Sequence, residues 1–266
     1  MTSPSVPARR VLARAAAMEW TKLASVRTTW WCLGLGVLGM ALFALFMGAS
    51  AADRIAEDPD SAAGFSYSRT VSHGVFYLVQ FVVLTLAALA ATNEYANGGI
   101  TATLLAVPRR GVLLAARTAV TAGLSFTAGA GTAALGLGVL WLLVGGHVSP
   151  DPGRAAHTVL GAGVCMALLA VLFTGLGTAL RGTAGTLAAG FLLLLGLPLV
   201  LQLSQTQWLN DLAACLPGLA GIEFYASGDV GFYTAPHDGA VNLWTVLGWA
   251  VAAQCVGYAE LCARDA

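Results

Sequence analysis

The sequence predicts an all-α polytopic membrane protein. Six transmembrane helices follow an N-terminal amphipathic interfacial helix, with both termini cytoplasmic. The 266 residues are 58% hydrophobic and 10% charged, with a mean hydropathy of +0.77. An average soluble domain carries roughly a quarter charged residues. Six uncharged windows each reach the roughly 20 residues that a span requires. The basic residues are shared unevenly between the connecting segments, which orients the chain. The layout is a leader with its interfacial helix over 1–28 and a six-span transmembrane domain over 29–266. A polar loop at 92–117 and a long outer segment at 202–242 interrupt that domain.

Residues 1–8 are rich in Pro and Ser and are expected to be disordered. From Arg9 to Trp31 apolar residues recur at steps of three and four: Leu12, Ala16, Trp20, Leu23, Val26 and Trp30. Arg10, Arg14, Thr21, Ser25 and Thr28 take the other side. Such a helix lies in the headgroup plane, with tryptophans at the interface. The first apolar run starts after this basic leader and is too long for a signal-peptide core, so it is expected to remain as an anchor.

The spans fall at about Trp30–Ser50, Gly74–Ala91, Thr118–Val144, Thr158–Leu180, Gly182–Leu201 and Leu243–Ala259. Arg181–Gly182 alone separates the fourth from the fifth, which predicts a tight hairpin. With the amino terminus inside, Arg9, Arg10, Arg14, Lys22, Arg27, Arg109, Arg110, Arg117, Arg181 and Arg264 are cytoplasmic. Arg54, Arg69 and Arg154 are left outside, with Asp53, Glu57, Asp58, Asp60, Asp151, Asp211, Glu223, Asp229 and Asp238. That distribution obeys the positive-inside rule. Richness in Arg, Ala and Gly suggests a GC-rich bacterial genome, and so a bacterial cell membrane.

Small residues such as Gly34, Gly36, Gly39, Gly129, Gly136, Ala184 and Ala188 predict close helix packing in a bundle or dimer. Gln80, Thr85, Ser125, Thr127, Thr132, Thr174 and Thr178 are the obvious polar groups of the spans. They are read as helix–helix hydrogen bonders, worth about 0.6 kcal/mol each. The five cysteines, Cys32, Cys165, Cys215, Cys255 and Cys262, form no CxxC pair and read as small apolar fillers. The segment 202–242 holds Trp208, Leu209, Leu212, Leu216, Leu219, Ile222, Phe224 and Tyr225, broken by Pro217. One or two short helices are expected there, either capping a pathway or resting at the outer interface.

Several chemistries are missing. No span interior carries an Asp, Glu, Lys, Arg or His, which argues against proton coupling. Lys22 is the only lysine and has no glycine near it, so the chain holds no P-loop. There is no HExxH and no GxSxG. His73, His147, His157 and His237 have no metal-ligand spacing. The acidic run Asp53, Glu57, Asp58 and Asp60 reads as a solvated loop.

What remains is the loop TNEYANGGITATLLAVPRRGVLLAAR, Thr92–Arg117. Glu94 and Tyr95 end the second span, and Gly98–Gly99 lets the chain turn. Ile100, Thr103, Leu104 and Val107 share one face of a short helix closed by Pro108, and Arg109–Arg110 follow. A short apolar helical face suits a partner's groove. Topology alone accounts for the arginines but not for that face.

EWTKLASVRTTWW (Glu19–Trp31) and EYANGGITATLLAVPRR (Glu94–Arg110) together resemble the permease subunits of bacterial ABC transporters of the type-2 exporter class. Those permeases often begin with Glu-x-x-Lys-x-x-Ser-x-Arg-x-Thr-x-Trp, here carried by Glu19, Lys22 and Arg27, with Trp20 and Trp30 beside them. Between spans two and three they carry Glu-Tyr-x-x-Gly-Thr-Ile-Arg-x-Thr-Leu, then Pro-Arg-Arg. Gly99 stands here where threonine is usual, and Thr101 where arginine is usual. The detailed match covers about 30 residues. The resemblance implies an elbow helix, a coupling helix at Gly98–Val107 docking in an ATPase groove, and a re-entrant outer segment. It implies that Glu94, Arg109 and Arg110 pair with the ATPase or anchor the loop. It also implies a separate ATPase subunit that binds ATP and Mg, and a second permease copy, expected as a homodimer. No cofactor on this chain, no activity of its own as an enzyme and no nucleic-acid partner are expected. The alternative is a membrane subunit of an ABC-like complex that senses or signals without moving cargo. If cargo is moved, the apolar spans favour a lipophilic or amphipathic one.

Overall fold

The computed structural model describes residues 8–96, 98–99, 103, 105, 109–203, 206–231 and 236–263. Among these residues every regular element is helical. In chain order they are α1 (Ala8–Ser25), α2 (Arg27–Glu57), a 3-10 turn (Pro59–Gly64), α3 (Tyr67–Tyr95) and α4 (Arg110–Val144). Then come α5 (Pro152–Leu180), α6 (Thr183–Leu203), α7 (Gln207–Ala214), α8 (Pro217–Tyr225) and α9 (Gly239–Ala263). Six of them, α2 to α6 and α9, are long and apolar enough to cross a membrane. Each sequence window falls on its own helix. The Pro/Ser-rich leader lies outside the described residues.

Local chemistry sets the helix ends. The Ser66 hydroxyl accepts from Arg69 N at the start of α3, at 3.3 Å. The Asp151 carboxylate accepts from Gly153 N at 2.9 Å, with Pro152 in the first position of α5. Arg181 closes α5 in the left-handed region at φ 54°, and Gly182 leads into α6. The predicted hairpin is therefore formed. α3 and α6 each absorb a π-helical turn, at Val75–Val79 and Leu192–Gly196.

Six traverses give the bundle two ends. One end gathers α1, Gly98, Thr103, Arg110, Arg181 and the end of α9. There Arg110 Nη1 donates to Leu261 O at 2.5 Å. The far end gathers the 3-10 turn, α7 and α8. α3 and α5 are the central helices, while α2, α4, α6 and α9 turn most of their apolar surface outward. Exposed Leu35, Leu38, Phe46, Phe191, Val200 and Val251 lie on those outer faces. Such surface suits a hydrocarbon solvent.

The interior closes through small residues. A Cβ on Gly175 would lie 2.5 Å from the Ala253 carbonyl carbon, and one on Gly257 would lie 2.6 Å from Gly175 O. α5 and α9 therefore touch backbone to backbone, the contact that small residues permit in lipid. Beside it Gln254 Nε2 donates to Val171 O at 2.7 Å and to Thr174 Oγ1 at 2.8 Å.

The structure corrects four sequence expectations. The span hydroxyls mostly bond within their own helix: Thr85 to Phe81 O, Thr132 to Ala128 O, Thr178 to Thr174 O. Thr174 does reach another helix, and so does Thr92, which meets Thr183 Oγ1 at 2.6 Å. Of the cysteines, Cys165 is a buried filler, Cys32 is half-buried, and Cys215, Cys255 and Cys262 are exposed. Arg9–Trp31 is not one helix. Val26 is extended (φ −88°, ψ 122°) and divides α1 from α2, so Arg27 and Trp30 belong to the first span helix. The Trp30 indole N–H donates to Ala24 O at 3.0 Å, satisfying a carbonyl that the end of α1 leaves open. Finally, α3 runs to Tyr95 and α4 begins at Arg110, so the polar break is narrower than 92–117.

The segment 202–242 folds back on the bundle. α8 is buried almost throughout and packs on α5, α9 and the π turn of α6. A Cβ on Gly221 would meet Cys165 Sγ at 2.7 Å. Glu223, assigned by sequence to an outer loop, is fully buried, with Asn242 Nδ2 donating to its Oε2 at 2.9 Å.

A Gly175→Ala substitution should destabilise the α5–α9 contact by about 1–3 kcal/mol, the usual cost of overpacking. Thermal unfolding in detergent reads this as a lowered midpoint. Gly185→Ala, where nothing lies within 4 Å, should leave the midpoint level or raise it.

Candidate functional site

α1 meets the bundle through a narrow face. Ala15 packs with Leu113 and Ala116 of α4, with Met18, Tyr95 and Val112 at the edge. One turn beyond Ala15, that face carries Glu19, which is 4% exposed. Leu12 and Trp20, from the predicted apolar stripe, stay exposed instead. The stripe is thus left for an apolar surrounding, and α1 docks through small Ala15 and a carboxylate.

Glu19 belongs to a closed ring of four charges. Lys22 Nζ lies 2.7 Å from Glu19 Oε1 and 2.5 Å from Glu94 Oε1. Arg117 Nε lies 3.4 Å from Glu19 Oε2, and Arg117 Nη2 pairs with Glu94 Oε2. Each carboxylate gives one oxygen to the lysine and the other to the arginine. Each cation bridges both carboxylates, and the formal charges cancel. Arg117 is 3% exposed, and its Nη1 also donates to Ala91 O at 3.4 Å.

The ring ties together four pieces of chain: α1, the end of α3, the start of α4 and the loop between them. The loop's anchor is Thr103, whose Oγ1 donates to Glu94 Oε1 at 3.0 Å. Thr103 N donates to Gly99 O at 3.1 Å. Gly98 sits at φ +67°, a conformation that favours glycine. The chain thus leaves α3, turns at Gly98 and returns Thr103 to the carboxylate that closes α3. The sequence placed Thr103 on the docking face, but the structure turns it inward. Leu105, two residues on, is 85% exposed.

Other sequence-predicted residues surround the ring without joining it. Tyr95 stacks under Arg181, whose guanidinium carbon is 5.3 Å from the ring centroid. Arg110 anchors to the carbonyls of Leu261 and Cys262. Arg109 is exposed at the N-cap of α4. Trp20, Arg27 and Trp30 are exposed. Ile100, Leu104 and Val107 lie outside the described residues. Arg117 was read only as a topology marker. Its signal was available: Glu19 and Glu94 are acidic residues at an end rich in arginine, and a carboxylate buried there needs a cation.

At the far end polar contacts also tie the helices. Arg69 Nη2 pairs with Asp229 Oδ1 at 2.7 Å, His73 Nε2 meets Val230 O at 2.7 Å, and Tyr67 Oη donates to Val148 O at 2.7 Å. Among the described residues no three His, Cys, Asp or Glu side chains are grouped to hold a metal ion. The chain matches no family model, and a search of curated proteins finds no match.

The ring holds four segments in fixed register, and it is expensive to break in part. Desolvating charges costs several kcal/mol each, which is offset only while every partner is present. Arg117→Leu should leave two carboxylates facing one ammonium and destabilise the protein by about 3–5 kcal/mol. Arg109→Gln, at an exposed site, should change stability by less than about 0.5 kcal/mol. Denaturant unfolding in micelles, followed by circular dichroism, separates the two.

Proposed function

We propose that this chain is the membrane permease subunit of an ATP-driven ABC exporter. On this reading it forms the translocation pathway with a second copy of itself in a bacterial cell membrane, amino terminus inside. ATP and Mg are bound by a separate ATPase subunit, which engages the segment between α3 and α4. The observation that carries the reading is the anchoring of Thr103 to Glu94 within the ring, two residues from exposed Leu105. A loop held from behind by a rigid polar joint, with an apolar side chain bare in front, is suited to receive a push and pass it on.

The rest of the reading follows from the connections of the ring. Closure of the ATPase pair displaces the loop. Through Thr103 and Glu94 that displacement reaches Lys22 and Glu19 on α1 and Arg117 on α4. α1, α3 and α4 then move as one body, while the far end is held by Arg69–Asp229 and its neighbours. Tilting three helices about the far end alternates access to a cavity at the interface between the two copies. The distribution of arginines supports the orientation. The motifs at Glu19–Trp31 and Glu94–Arg110 support the class of partner. The uniformly apolar spans favour a lipophilic or amphipathic cargo.

The test is co-purification with the ATPase encoded beside the gene. Tagged wild-type chain should retain the ATPase. Leu105→Asp, which places a charge on the exposed apolar side chain, should reach the membrane fraction in equal amount and lose at least about 90% of it, as a central interface residue does. Absence of ATPase from the wild-type chain, or equal retention by Leu105→Asp, would overturn the reading.

A further inference from the structure

Between α1, the first turn of α2 and α3 lies a cavity of about 380 Å³. Apolar Leu23, Val26, Leu86, Leu89 and Ala90 line it together with Lys22, Thr28, Asn93 and the two ring carboxylates. The break at Val26 creates this space, because it swings α1 away from the axis of α2 and leaves α3 uncovered beneath the elbow. The cavity is about large enough for part of a lipid, within the roughly 300–1,000 Å³ range of ligand sites.

The ring decides which charge this cavity accepts. All four carboxylate oxygens already face a cation: Glu19 Oε1 and Glu94 Oε1 face Lys22, and Glu19 Oε2 and Glu94 Oε2 face Arg117. A cationic guest would have to compete with Lys22 or Arg117 at every one of these oxygens. Lys22 differs. Its ammonium has three N–H groups, the two carboxylates occupy two of them, and its side chain keeps 37% of its exposure. Thr28 and Asn93, whose side chains can donate, line the same cavity. The polar part of the cavity is thus built for an acceptor, and a phosphate oxygen fits a point ammonium charge. The apolar part excludes a free inorganic phosphate as the natural occupant, because it would leave five apolar side chains uncovered.

Depth points the same way. Trp20, Trp30 and Trp31 are exposed on α1 and near the start of α2, the two helices that meet at the elbow. Exposed tryptophans collect where headgroups meet acyl chains. From these observations we propose that the cavity under the elbow is a binding site for a glycerophospholipid, with its phosphodiester on Lys22 and one acyl chain along Leu23, Val26, Leu86 and Leu89. The site is separate from the cargo pathway and does not require the ATPase partner. Its occupant bears directly on the Lys22 corner of the ring, so lipid at the elbow and the loop at Thr103 press on the same four charges.

Native mass spectrometry of the purified full chain, delipidated in detergent, tests this. Dioleoylphosphatidylglycerol should be retained one-to-one, and dioleoylglycerol, with the same chains and no phosphate, should not. Glycerol 3-phosphate, with the phosphate and no chains, should not displace the phospholipid. Ala90→Trp places an indole in the apolar part and leaves the four charges in place. It should reduce phospholipid retention about tenfold, as should Lys22→Gln, the scale of one charge-assisted hydrogen bond. Far-UV circular dichroism checks that each variant is folded, and if Lys22→Gln fails that check Ala90→Trp decides alone. Equal retention of the two dioleoyl lipids, or wild-type retention by folded Ala90→Trp, overturns the site. Because the measurement contains no ATPase, its failure leaves the co-purification result standing, and the reverse also holds.

Discussion

Four charges that cancel, two of them almost cut off from water, govern the architecture of one end of this protein. In water an exposed ion pair is worth about 0–1 kcal/mol, and its loss passes almost unnoticed. Between α1, α3 and α4, Arg117 and Glu19 have almost no water left to fall back on. Each depends on the other three corners. The ring therefore behaves as one object: complete, it is electrically silent, and with a corner missing it holds an uncompensated charge. α1 needs this joint because its remaining contact with the bundle is small, resting on Ala15 against Leu113 and Ala116. Without the ring, little would distinguish its present position from a looser one lying elsewhere along the surface.

The middle of the bundle is held by a different force. Apolar surface gains nothing by leaving hydrocarbon, so helices in that solvent associate by shape. Gly175 and Gly257 bring α5 and α9 to backbone contact, and Gln254 bridges them. Most hydroxyls there are spent on their own helix, as at Thr85, Thr132 and Thr178, which satisfies them without fixing any neighbour. Among the described residues, charged ties between helices gather toward the two ends: the ring at one, and Arg69–Asp229 at the other, beside His73–Val230 and Tyr67–Val148. A bundle pinned at both ends and shape-packed between them resists separation of its helices.

The spans were legible because a span needs only length and apolarity, both of which are local properties. The elbow was not, because Val26 and Trp30 continue the helical periodicity across the break. What divides them is a capping contact from the Trp30 indole to Ala24 O, which periodicity does not contain. Glu19, Lys22 and Glu94 were singled out individually. Their closure through Arg117 was missed because the decisive pair, Glu19 and Arg117, is separated by 98 residues. The buried state of Glu223 was hidden for a similar reason: its partner Asn242 belongs to α9, while the intervening sequence reads as an outer loop. Local signals place elements well, but they place buried charges poorly, since a buried charge is defined by what comes to meet it.

Thr103 and Leu105 show how one short stretch serves two environments. Both are helical, and two residues apart on a helix means roughly opposite faces, since successive residues are spaced by a 3.6-residue turn. Thr103 is turned in to Glu94 and Leu105 is turned out. A force applied on the Leu105 side therefore acts on a body whose other side is hydrogen-bonded to a corner of the ring. An apolar anchor at position 103 would slide under such a force, because dispersion contacts are non-directional and are readily exchanged for others. A hydroxyl bonded to a carboxylate that is itself fixed by Lys22 and Arg117 has no equivalent position nearby. On the proposed reading, directional and mutually dependent bonds would turn a push into displacement of whole helices, which a merely stabilising cluster would not.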